Sequence, residues 1–79
     1  MTVAAQRTRL MMRPKMLNER EIETLTWVAR GKTSAQIADM LGLAKRTIDF
    51  HIDNARAKLG ASTRTEAVIK ATTGRLIEP

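Results

Sequence analysis

The sequence predicts an all-α fold of four short helices, with no strands expected, and three observations carry that reading. Three segments open on a polar capping residue with Glu or Gln three positions later: Asn18–Glu21, Thr33–Gln36 and Thr63–Glu66. This is the reciprocal capping box of a helix N-terminus. Behind each box, and again over residues 48–59, apolar residues recur every three or four positions, the period of one helix face. Between the second and third periodic segments stand only Gly42, Leu43 and Ala44, a turn too short for anything but two adjacent helices.

The first helix is expected near residues 19–30. Asn18 caps it, Leu17 and Ile22 are spaced as a hydrophobic staple across the cap, and Gly31 stops it. Ile22, Leu25 and Ala29 line one face. Trp27 falls off that stripe and is expected against the N-terminal tail or the last helix, or at a contact with a further domain. The second helix, near 34–41, buries Ile37, Ala38 and Leu41 and ends at Gly42. The third, near 45–59, carries a narrow stripe of Ile48, Ile52, Ala55 and Leu59. At about 100° per residue, Arg46, Phe50, Asp53 and Ala57 lie opposite that stripe. The fourth, near 64–73, turns Ala67 and Ala71 to the core, ends at Gly74, and points Ile69 nearly the opposite way. A second apolar side on so short a helix suggests a partner helix.

Composition narrows the function. The chain has 79 residues, one small domain with a thin core. It has no Cys, hence no disulfide or thiolate metal site, and one His, His51, which cannot build a zinc site alone. Gly31-Lys32-Thr33 echoes the end of a nucleotide-binding loop but lacks its upstream Gly and preceding strand. Neither an enzyme, a cofactor, a metal nor a small-molecule site is expected. No apolar run is long enough to span a membrane, and the lack of Cys fits a reducing cytoplasm.

The formal charge is +6 and the sequence pI near 10.9, which point to an anionic partner. The charge is uneven. Residues 1–16 hold Arg7, Arg9, Arg13 and Lys15 and no acid, and are read as a flexible basic tail or interdomain linker ahead of a domain at 17–79. The domain itself holds ten bases and eight acids. Recognition must therefore come from where its charges sit.

Two amphipathic helices joined by a short turn with Gly form a helix-turn-helix. In that motif the second helix enters the DNA major groove. Here that helix presents Phe50, the one Phe of the chain, on its outer face. At this point the residues resemble a family. "LNEREIETL", "ARGKTSAQIADMLGL", "RTIDFHIDNARAKLG" and "TRTEAV", in that order within residues 17–77, are similar to the DNA-binding domain of LuxR-type transcription regulators. The "GKT", the "FH" pair with Asn54 after it and the closing "GRLI" are most like the quorum-sensing members that respond to acyl-homoserine lactones. The resemblance implies four helices, a two-fold homodimer formed largely through the last helix, and an inverted-repeat site upstream of promoters. It also implies a separate signal-binding domain in full-length members. The chain departs from the family at Ala44, where Ser or Thr is usual before the DNA-reading helix; a missing hydroxyl cap costs about 0.5–2 kcal/mol. It departs again where the family's base-reading positions, often basic, fall on Asp49, Phe50 and Asp53.

The candidate site follows. Lys32, Thr33 and Ser34 open the second helix, where a helix N-terminus can receive a phosphate, although capping alone would account for the hydroxyls. Lys45, Arg46 and Thr47 open the third. Bases there oppose the helix dipole, which makes sense beside phosphates. Phe50 can lie against thymine methyl groups. Asp49 and Asp53 can accept from a cytosine amino group, or pair with Lys45 and Arg56 and so position basic residues. Ile69 is the candidate dimer contact. Competing readings are a protein-interaction module that heterodimerises with and inhibits a full-length relative, and a promoter-binding domain of a sigma factor, against which "FH" and "GRLI" speak.

Overall fold

The computed structural model describes residues 17–79, and the tail or linker expected over residues 1–16 lies outside them. The described residues form four helices: α1 (Glu19–Ala29), α2 (Ser34–Leu41), α3 (Lys45–Lys58) and α4 (Arg64–Thr73). The helix starts fall where the boxes put them. Two boxes close in both directions. Asn18 Oδ1 accepts from the Glu21 N–H at 2.8 Å and Glu21 Oε1 from the Asn18 N–H at 3.0 Å. Thr33 and Gln36 do the same at 3.1 and 2.9 Å. The third differs. Thr63 Oγ1 accepts from the Glu66 N–H at 3.0 Å, but Glu66 reaches past the cap to the Ser62 N–H at 2.7 Å. At Thr63 the backbone is more extended, φ −136° against −85° at Asn18 and −82° at Thr33. The Ser62 N–H holds the Glu66 carboxyl below its ordinary range.

All four helices end on the same closing bond, an N–H to the carbonyl five residues back: Lys32 to Trp27, Leu43 to Ala38, Ala61 to Arg56 and Leu76 to Ala71. That closure needs a left-handed residue just before the donor. Gly31, Gly42 and Gly60 supply it for the first three helices. In α4 the expected stop, Gly74, has φ −81°, and the left-handed residue is Arg75 at +59°. The glycine stands one position too early, and an L-residue in that conformation costs about 1–2 kcal/mol.

The core divides in two, and α3 runs through both parts. Its first half, Ile48 and Ile52, packs on Ile37 and Ala38 of α2, with Leu41, Leu43, Val28 and Trp27 closing the edge. Its second half, Ala55 with Leu59, packs on Leu25, Ile22 and Ala29 of α1 and on Ala67, Ala71 and Val68 of α4. Leu17, Ala61, Leu76 and Ile77 seal that second part. Trp27 therefore packs against the core of the helix-turn-helix, and not on the last helix, one of the places expected for it; the tail, another, lies outside the described residues. It sits two residues before the end of α1, where that helix crosses the α2–α3 pair, and the Arg30 guanidinium lies 4.9 Å over its ring.

One buried charge ties the elements together. Glu21 is 1% exposed. Besides the Asn18 N–H, its two oxygens accept from Lys58 Nζ at 2.9 and 3.0 Å, which joins the start of α1 to the end of α3. Glu21 lies one turn from both Leu17 and Leu25, so the residue that closes the capping box shares the core face.

Candidate nucleic-acid interface

The α2–α3 pair and its three-residue turn present one outward face, the outer side of α3 flanked by the N-terminus of α2. Burial of Ile48, Ile52 and Ala55 on the inner side decides what faces out. Phe50, at 61% exposed, stands clear of the core, with the His51 ring edge-on at 5.7 Å and 62°. Lys45, Arg46 and Asp53 are exposed beside it, and Thr47, Asp49 and His51 are half-buried at its margins. Lys32 and the cap residue Thr33 are exposed at the start of α2.

The two aspartates, alike in sequence, are unlike in structure. Asp49 is fully engaged. Its Oδ1 accepts from Ser34 Oγ at 2.6 Å and from Arg64 Nη2 at 2.9 Å; its Oδ2 accepts from Lys45 Nζ at 3.0 Å. The Ser34 hydroxyl first, then the Arg64 guanidinium and the Lys45 ammonium, hold the Asp49 carboxyl far below its ordinary range. Asp53 has only looser neighbours, Arg56 Nε and Arg64 Nη2, both at 3.8 Å. Arg56 spends its own hydrogen bond on the Ala61 carbonyl at 3.1 Å.

Ser34 is buried, and its hydroxyl donates to Asp49 while accepting from Arg64 Nη1 at 2.8 Å. Its side chain is thus turned into the domain, unlike those of Lys32 and Thr33, which the sequence grouped with it as candidate phosphate contacts. Arg64 was not singled out by the sequence, because it stands thirty residues from Ser34 and at the solvated start of another helix. No periodicity links such positions. Ile69 lies apart from this face, 58% exposed on α4. Among the described residues, no group of His, Cys, Asp or Glu could hold a metal ion, and no helix is long and apolar enough to cross a membrane.

The profile of the bacterial regulatory proteins of the luxR family matches residues 15–71. The chain belongs to that family. It is a LuxR-type helix-turn-helix domain, and the family is one of DNA-binding regulatory domains rather than enzymes. Over 79 aligned positions it is 44% identical to the quorum-sensing-dependent transcriptional regulator RpaR of Rhodopseudomonas palustris, covering 94% of this chain and 32% of that protein. It is 42% identical over 64 residues to the transcriptional activator VanR of Vibrio anguillarum, covering 81% of this chain and 27% of VanR. The chain thus spans roughly a quarter to a third of the length of these relatives. The solved structure of the transcription factor GerE superposes with a TM-score of 0.76 at 27% identity, over 80% of this chain and 94% of that one. Four helices in the expected order agree with that fold.

Proposed function

We propose that this chain reads a specific DNA sequence as the output domain of a quorum-sensing transcription regulator, acting as a two-fold homodimer on an inverted repeat. The exposed Phe50 carries the proposal. It stands on the outer face of the second helix of a helix-turn-helix, the face that docks in the major groove. An aromatic ring left in water there is explained by a surface that covers it, and thymine methyls fit it. Lys45, Arg46 and Thr47 at the start of α3, and Lys32 and Thr33 at the start of α2, flank the groove as phosphate contacts. Ser34 contributes its backbone N–H, its hydroxyl being engaged.

The division between the aspartates refines the reading. Asp49 holds Lys45 and Arg64 in place. Asp53, loosely paired, is the carboxylate able to accept from a cytosine amino group. Ile69 forms the dimer contact. The names of RpaR and VanR support the regulatory role; the signal-dependent activity of a whole regulator comes to this chain only as part of the proposal.

Selection of random duplex DNA with the purified chain tests it. An enriched inverted repeat with half-sites about 34–36 Å apart is expected. Lys45→Ala should weaken all sequences alike and lower the salt slope by about one. Ile69→Glu should weaken the inverted repeat far more than a single half-site. No enrichment, together with tight pairing of the chain to a full-length relative through Ile69, would favour the inhibitory heterodimer instead.

A further inference from the structure

The DNA-reading helix begins weakly by its own local chemistry. Its cap position, Ala44, makes no side-chain hydrogen bond, although its backbone, φ −74° and ψ 148°, has the extended form of a capping residue. The first turn has no acid and two bases, Lys45 and Arg46, which oppose the positive end of the helix dipole. Its opening bonds, from Thr47 and Ile48 N–H to the Ala44 carbonyl, measure 3.0 and 3.2 Å. The other three helices all begin with a side-chain cap.

What holds this turn comes from elsewhere. Arg64, the first residue of α4, splits its guanidinium between Ser34 at the start of α2 and Asp49 one turn into α3. Ser34 closes the triangle to Asp49, and Lys45 lies back onto the same carboxylate. The planar fork suits this double engagement in a way a lysine does not. Arg64 itself sits beside two helix N-termini, its own and that of α2, where a cation is disfavoured. It stays because Asp49 is there.

We propose that Arg64, Asp49 and Ser34 form a latch through which α4 orders the first turn of α3, replacing the local cap that Ala44 does not provide. Arg64 is thus a positioning residue. α4 also bears Ile69, so whatever settles α4 also settles the placement of Lys45, Arg46 and Phe50. That last link to DNA reading rests on the proposed function; the latch does not.

Amide hydrogen exchange on the free 79-residue chain tests the latch without DNA. In Arg64→Ala the Thr47 and Ile48 amides should exchange about tenfold faster, as for loss of an ordinary cap, while those of Leu25 and Ala55 keep their protection. Arg64→Lys and Asp49→Asn should show the same local effect more mildly. Adding Ala44→Ser to Arg64→Ala should restore protection at Thr47 and Ile48, which a merely global loss of stability would not allow. Unchanged exchange at Thr47 and Ile48 in Arg64→Lys and Asp49→Asn would overturn the latch. So would uniform loosening of all four helices in those variants, or failure of Ala44→Ser to rescue. Affinity for the enriched duplex should fall with Arg64→Ala and recover with the added Ser. If the wild-type chain enriches no DNA, the DNA-reading proposal fails and the exchange result still decides the latch.

Discussion

Replacing Glu21 with Ala removes three hydrogen bonds to one nearly inaccessible carboxylate, two from Lys58 and one from the Asn18 N–H. A hydrogen bond to a charged group contributes about 1.5–3 kcal/mol net. Breaking a fully buried ion pair costs about 3–5 kcal/mol, because the surviving charge is left without solvent. That upper figure does not apply, since the Lys58 side chain is 40% exposed and its ammonium can rehydrate. The bond to Asn18 is half of a capping box, and its loss belongs to the same small increment as a weakened cap. Together these give about 2–3 kcal/mol. For a domain of this size, each kcal/mol moves the midpoint by about 4–8 °C, so thermal unfolding followed by circular dichroism should show a fall of about 8–24 °C. Glu21→Met with Lys58→Met should recover most of the loss, as buried pairs replaced by apolar residues often do. A Glu21→Ala variant within about 0.5 kcal/mol of wild type would refute the reasoning, because that is the range of ordinary surface changes.

Phe50→Ala should cost about 1–3 kcal/mol of affinity on thymine-containing sites, and uracil in place of the contacted thymine should mimic it; full additivity of the two in binding titrations would show that the ring reads no methyl. Arg75→Gly should raise stability by up to about 1 kcal/mol by relieving the left-handed conformation at the end of α4, read as a higher melting midpoint. Asp49 has its folded pKa depressed by Ser34, Arg64 and Lys45, so its contribution is fully present above the ordinary Asp value of about 3.9 and is lost only as pH falls below it. The stability difference between wild type and Asp49→Asn should therefore be flat from pH 7 to pH 5 and shrink at lower pH; a difference that vanishes already near pH 6 would place its origin in another group.

What the sequence determined by itself was local. Asn18, Thr33 and Thr63 mark three helix starts because a cap is chosen within four residues, and Ile48, Ile52 and Ala55 mark the inner face of α3 because periodicity is a property of one helix. From that inner face the exposure of Phe50 follows by geometry alone, as that of Ile69 does from Ala67 and Ala71 on α4, and the ordered motifs named the family. Tertiary structure decided the rest. Trp27 joins the α2–α3 cluster because α1 crosses that pair, and the left-handed residue that closes α4 is Arg75 rather than Gly74, just ahead of Leu76 and Ile77 in the second core cluster. Asp49 and Asp53 look equivalent along the helix, four residues apart and each with a basic neighbour. They became different because the start of α2 and the start of α4 converge on Asp49, bringing Ser34 and Arg64 to its oxygens. Such pairings join residues 15 and 30 positions apart, and local chemistry carries no signal over that distance; only the fold selects which charges meet and which stay in water.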